Sequence, residues 1–134
     1  MMTDGQHILV VDDQKDIRDM TALVLSGAGY RVDTVESGES ALSTLGRDRF
    51  DLVLLDINMP TMDGWETLRM IRCDDDLSDL PVVMFSVKGE IRDKIESLQE
   101  GAVDFVTKPF TVDDLIARVG KVLSGSTDQA AGAP

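Results

Sequence analysis

Five short apolar runs divide the chain, and between them apolar residues recur every three or four positions. The first run, Ile8-Leu9-Val10-Val11, has no polar break and stops at Asp12-Asp13, the pattern of a strand buried on both faces. Ile17, Met20, Thr21, Val24, Leu25 and Ala28 then form a helical stripe, and Gly27 and Gly29 punctuate its end. Arg31 to Val35 sets Val32 and Val35 among polar residues and predicts a short strand near a sheet edge. Ser37 is placed to cap a second helix carrying Ala41, Leu42 and Leu45. Leu52-Val53-Leu54-Leu55 gives the strongest strand signal and ends at Asp56. A turn from Asn58 to Gly64 leads to a third helix marked by Trp65, Leu68 and Ile71. Beyond an acidic loop from Cys73 to Asp79, Val82 to Phe85 predicts a strand ending at Ser86. Ile91, Ile95 and Leu98 stripe a fourth helix closed by Gly101, and Asp104 to Thr107 is a short strand leading into Lys108-Pro109. Thr111 and Asp114 resemble a capping box ahead of a last helix with Val112, Leu115, Ile116, Val119, Val122 and Leu123.

Strand and helix thus alternate five times with short connections. That order predicts an α/β fold in which a doubly wound parallel sheet is covered by helices on both faces. The 134 residues suffice for one domain, read as 1–123, with the small polar residues 124–134 as a flexible tail or linker. Charge narrows the function: 13 Lys and Arg against 25 Asp and Glu give a net charge of −12, which opposes direct binding of nucleic acid. The single cysteine, Cys73, excludes an internal disulfide framework. No apolar run approaches the roughly 20 residues of a membrane span, and no secretory signal opens the chain, so the expected location is the cytoplasm, away from membranes.

In parallel α/β sheets, ligands gather outside the carboxyl ends of the strands. Here those ends carry Asp12 and Asp13, Asp56, Ser86 and Lys108. Carboxylates held together repel one another, which makes sense where a cation neutralises them. An all-oxygen donor set without His or Cys selects a hard ion: Mg²⁺, with Mn²⁺ as a substitute. A cation, a lysine and a hydroxyl around one carboxylate form a cradle for a phosphoryl group. Asp56, the lone acid at the end of the most buried strand, is the candidate nucleophile and would become an aspartyl phosphate.

These segments resemble the response-regulator receiver domain, the CheY-like module of two-component signalling. ILVVDD at 8–13, LVLLDINMPTMDGWE at 52–66, VVMFS at 82–86 and DFVTKPF at 104–110 carry the resemblance, which spans residues 7 to about 123. It implies a flavodoxin-like (βα)5 fold with strand order 2-1-3-4-5. It implies Asp56 as phospho-acceptor, and Mg²⁺ held by Asp12, Asp13, Asp56 and the main-chain carbonyl of Asn58, with Asp13 a direct ligand. Ser86 would hydrogen-bond one phosphoryl oxygen and Lys108 would pair with another, aimed by a cis Lys108–Pro109 bond. Phe105 would be the switch aromatic, turning inward as Ser86 moves. The implied phosphoryl donor is a sensor histidine kinase or a histidine phosphotransfer protein. The implied reader is a downstream protein or an output domain of the same chain. The reading face would be Ile91–Leu123, with Lys88, Arg92, Lys94, Arg118 and Lys121 making it basic; strand five and the last two helices would also serve a homodimer. Such a domain is a switch rather than an enzyme, promoting only its own phosphorylation and dephosphorylation. Val87 stands where the family more often has a small residue, and Lys88 and Asn58 occupy positions that tune the lifetime of the phosphate.

Two other classes stay open. Asp56-Ile-Asn58 resembles the paired acids of haloacid-dehalogenase-type phosphatases, which pass phosphate to water; the nucleophile on the third strand and the lack of a cap segment weigh against it. An interaction module that never carries phosphate predicts lost acids or a lost lysine, and all are present. Asp74, Asp75, Asp76 and Asp79 lack the glycine and late glutamate of an EF-hand and read as a solvated loop. His7 reads as a strand-start residue, and Met59, Met62 and Trp65 as packing or partner contacts.

Overall fold

The unbroken apolar runs occupy the centre of one sheet, because only a strand covered on both faces can use apolar side chains in both directions. A computed structural model describes residues 5–86, 95–96, 98–108 and 110–132, residue 86 and residues 125–132 by backbone alone. Strands β1 (His7–Val11), β2 (Arg31–Val35), β3 (Leu52–Asp56), β4 (Val82–Ser86) and β5 (Asp104–Thr107) pair in parallel in the order β2-β1-β3-β4-β5. Helices α1 (Lys15–Gly27), α2 (Gly38–Leu45), α3 (Gly64–Cys73) and α4 (Val112–Gly132) complete the described elements. Residues 95, 96, 98 and 99 are also helical, and Gly101, at φ 108°, ends that turn. This is the doubly wound fold and strand order expected, with the polar β2 at an edge.

Two apolar clusters divide the core by sheet face. Leu9, Val11, Val53, Leu55, Val82, Met84 and Phe105 pack under α2 and α3, against Ala41, Leu45, Leu68 and Ile71. Ile8, Val10, Leu52, Leu54, Val83, Phe85 and Val106 pack under α1 and α4, against Leu25, Leu115 and Val119. Burying each large side chain contributes about 1.5–3 kcal/mol. Met59 is buried and Trp65 packs partly against the first cluster, as the packing reading anticipated.

Ser37 caps α2 by accepting from the Ser40 N–H at 3.1 Å, and Thr111 accepts from the Asp114 N–H at 3.0 Å. Some stripe positions are not core. Met20, Ile95, Leu98 and Val112 are 44–51% exposed, since a helix lying on a sheet buries a narrower arc than its apolar stripe. The backbone of α4 runs to Gly132, past Leu123, where the stripe ends and a tail was expected. No proline interrupts residues 112–132, and Ala130 and Ala131 favour helix.

At the amino ends of the strands, His7 opens β1 as expected. Its ring nitrogens lie 3.0 Å from the Arg49 carbonyl and 2.9 Å from Asp33 Oδ2, and its ring packs on Phe50. A cleft of about 540 Å³ opens nearby, lined in part by Leu77, Leu80, Asp48 and Asp79. It lies at the end of the sheet opposite to the residues with chemical potential.

Candidate functional site

Side chains of a strand alternate between faces, and the register aligns the acids. Val10 pairs with Leu54, Asp56 with Phe85, and Phe85 with Val106. Continuing the alternation, Asp12, Asp56, Phe85 and Val106 form a row across four strands on the α1 and α4 side. Lys108, two residues past Val106, comes from the edge strand and reaches across β4 to the acids. Its Nζ donates to Asp12 Oδ2 at 2.6 Å and stands 3.5 Å from Asp56 Oδ1. Lys108, Asp12 and Asp56 are 7%, 0% and 3% exposed, so this is a buried charged cluster rather than a surface ion pair.

Each acid is held from its own loop. The Gln14 N–H donates to Asp12 Oδ1 at 2.9 Å, and Arg18 Nη1 donates to the Asp12 main-chain carbonyl at 2.9 Å. The Asn58 N–H donates to Asp56 Oδ1 at 3.4 Å. Burial pushes the Asp56 carboxyl up from 3.8 to about 6; Lys108 pulls it down and the neighbouring Asp12 charge pushes it up again. Asp13 is exposed, yet carboxylate oxygens of Asp12, Asp13 and Asp56 all lie within 4.8 Å of one another. Among the described residues this is the one group of three such side chains able to hold a metal ion. Its oxygen-only donors fit a hard divalent cation.

Of the expected site residues, the structure brings together Asp12, Asp13, Asp56 and Lys108, with Asn58 adjoining Asp56. Ser86 ends β4 level with Thr107, and its side chain lies outside the described atoms. Residues 87–94 and 109 fall outside the described residues, so the expectations for Val87, Lys88, Arg92, Lys94 and the Lys108–Pro109 bond fall there too. Phe105 is 4% exposed and belongs to the α2 and α3 cluster, inward and on the opposite face from the acids. Arg118 is not a free positive charge: it pairs with Asp104 at 3.1 Å and with Asp114 at 3.3 Å.

Three residues around the site escaped the sequence reading. Asp63, read as part of a turn, caps α3 by accepting from the Glu66 N–H at 3.0 Å. Gly64, behind it, lies so close to β3 that a Cβ would collide with the Asp56 carbonyl oxygen and the Ile57 Cα. Phe85 lies under Lys108, whose Nζ is 5.2 Å from the ring centroid. Its even spacing with Val83 is the signal that could have placed it beside Asp56.

Comparison with known proteins agrees with this fold. Residues 8–120 match the response regulator receiver domain, and the chain belongs to that family. It is 40% identical over 119 residues to the phosphate regulon transcriptional regulatory protein PhoB of Pseudomonas aeruginosa, covering 89% of this chain and 52% of that protein. It is 39% identical over 131 residues to the DNA-binding response regulator MtrA of Mycolicibacterium smegmatis, covering 98% and 56%. The chain thus spans about half the length of these curated relatives. Among solved structures, the chemotaxis protein CheY4 of Vibrio cholerae superposes with a TM-score of 0.83 at 32% identity, covering 87% of this chain and 98% of that one. The receiver domain of NtrX from Brucella abortus gives 0.82 at 39% identity, covering 87% and 98%.

Proposed function

We infer that this receiver domain is a phosphorelay switch whose phospho-acceptor is Asp56. The observation that carries this reading is the buried Asp56 carboxylate gathered with those of Asp12 and Asp13 and 3.5 Å from the Lys108 ammonium. An Asp56 oxygen attacks the phosphorus of a phosphohistidine on a sensor kinase or phosphotransfer protein. The P–N bond breaks, a P–O bond forms, and the released imidazole takes up a proton. Lys108 neutralises one phosphoryl oxygen, and the Ser86 hydroxyl is assigned to another. Asp12, Asp13, Asp56 and the Asn58 carbonyl would hold Mg²⁺, or Mn²⁺ in its place, and the bound ion would neutralise the remaining oxygen charge. Asp12 and Asp56 otherwise crowd two buried negative charges around one lysine, which supports a site built to receive a cation.

The phosphorylated form is read through the Ile91–Leu123 face, with Phe105 as its moving aromatic, by a downstream protein, an output domain or a second copy of the chain. The domain acts by shifting a pre-existing equilibrium, because phosphate and cation bind one conformation better. It is not an enzyme for outside substrates, does not itself bind nucleic acid, and works in the cytoplasm. Incubation with Mg²⁺ and acetyl phosphate should add one phosphoryl mass to the native chain and none to Asp56→Ala, read by intact-mass spectrometry. No adduct on the native chain, or an undiminished adduct on the variant, refutes the assignment.

A further inference from the structure

Lys108 enters the site from an edge strand, while the acceptor lies two strands away. Adjacent strands are about 4.8 Å apart, so the lysine stem must cross all of β4. The residue it crosses is Phe85. That ring is fully buried, stands level with Asp56 in the strand register, and lies 5.2 Å from Nζ. The ring also stacks on Phe110, at 5.3 Å between centroids and 16° between planes. An ammonium within about 6 Å of an aromatic face is attracted by the ring's quadrupole, more strongly where water is excluded. A leucine could fill the same space but could not attract the charge.

The geometry points to Phe85 as a positioning residue for phosphoryl transfer: its face, stacked on Phe110, supports the Lys108 side chain where it crosses β4, so that the ammonium reaches both Asp12 and Asp56. This rests on the reading of Asp56 as acceptor. Phe85 touches neither the phosphoryl group nor the cation, so its effect falls on the transfer rate and not on cation affinity. The two acids attract Lys108 along the strand row, and the ring fixes its height above the sheet. Without the ring face, the ammonium keeps its bond to Asp12 and loses its fixed approach to Asp56.

Phe85 is replaced by mono-, di- and trifluorophenylalanine, which drain the ring face while nearly keeping its shape, and by Phe85→Leu. The phosphorylation rate at saturating acetyl phosphate should fall stepwise with fluorine number, to about one-fifth with three fluorines, following the loss of roughly 1 kcal/mol. The Mg²⁺ dissociation constant should stay within error of wild type, while the thermal midpoint should fall by roughly 3–5 °C with three fluorines, because the same attraction is lost from the folded chain. By NMR, the Lys108 Cε protons should be displaced upfield by the ring and return toward ordinary lysine values in Phe85→Leu. A rate independent of fluorine number, or Lys108 protons indifferent to loss of the ring, overturns the inference. A native chain that takes no phosphoryl group instead defeats the acceptor assignment, and the NMR comparison then still decides whether Phe85 holds Lys108.

Discussion

Asp56 sits where burial opposes its charge, and a single lysine shared with Asp12 offsets that only in part. Its carboxyl rises from 3.8 to about 6 on folding. Between those values the folded chain keeps a proton that the unfolded chain releases. Stability contributed by this group is therefore full below about pH 4 and is lost as pH rises through about 6. Asp56→Asn should stabilise the cation-free protein near neutral pH by about 1 kcal/mol, the shift being discounted for partial solvent screening. The gain should vanish toward about pH 4, where wild-type Asp56 is itself neutral. Urea unfolding in chelator at both pH values checks this; an equal gain at both would contradict it. At this scale the sequence was informative for acids and lysine, because charged residues ending apolar runs have few other reasons to be there. It was poor at Phe85, because an aromatic inside an apolar run reads as core, and only the pairing of β3 with β4 and of β4 with β5 sets it between acceptor and lysine.

Between elements, the approach of α3 to β3 sets the mouth of the site. Asp63 caps the helix, and Gly64 lets its first turn press against the Asp56–Ile57 backbone. Gly64→Ala should cost about 1–3 kcal/mol, because the obstacle is main chain and not a flexible side-chain tip. It should also reduce cation affinity by pushing the Asp56 loop aside, measurable by thermal unfolding and by Mg²⁺ titration. Unchanged stability would mean that the two backbones separate freely. The strands were legible because continuous apolar runs and one alternating run differ visibly. The helix stripes named more core than exists, as Met20 and Val112 show, since periodicity marks a face without saying how wide a contact covers it. Nor did it show where α4 ends, because loss of the stripe at Leu123 ends the packing face and not the backbone hydrogen bonding.

For the whole molecule, net charge and site chemistry act together. Twelve excess negative charges favour any state that takes up cations, and the acid cluster could give one cation a specific place. Mg²⁺ at a hundredfold excess over its dissociation constant should stabilise the fold by about 2.7 kcal/mol. Asp13→Asn should remove most of that gain while changing the cation-free stability by less than about 0.5 kcal/mol, because Asp13 is exposed. Thermal melts at constant ionic strength separate this from general screening. The division of the core by sheet face has a further consequence. Asp56 looks toward α1 and α4, whereas Phe105 is packed beneath α2 and α3, so the two are back to back across one layer of backbone. On the proposed reading, a change at Asp56 would reach that aromatic through the main chain of β4 and β5, whose Met84–Phe105 and Phe85–Val106 pairings present one neighbour to each side. A small slide of β4 along β5 would be felt on both surfaces at once, with no chain of touching side groups between them.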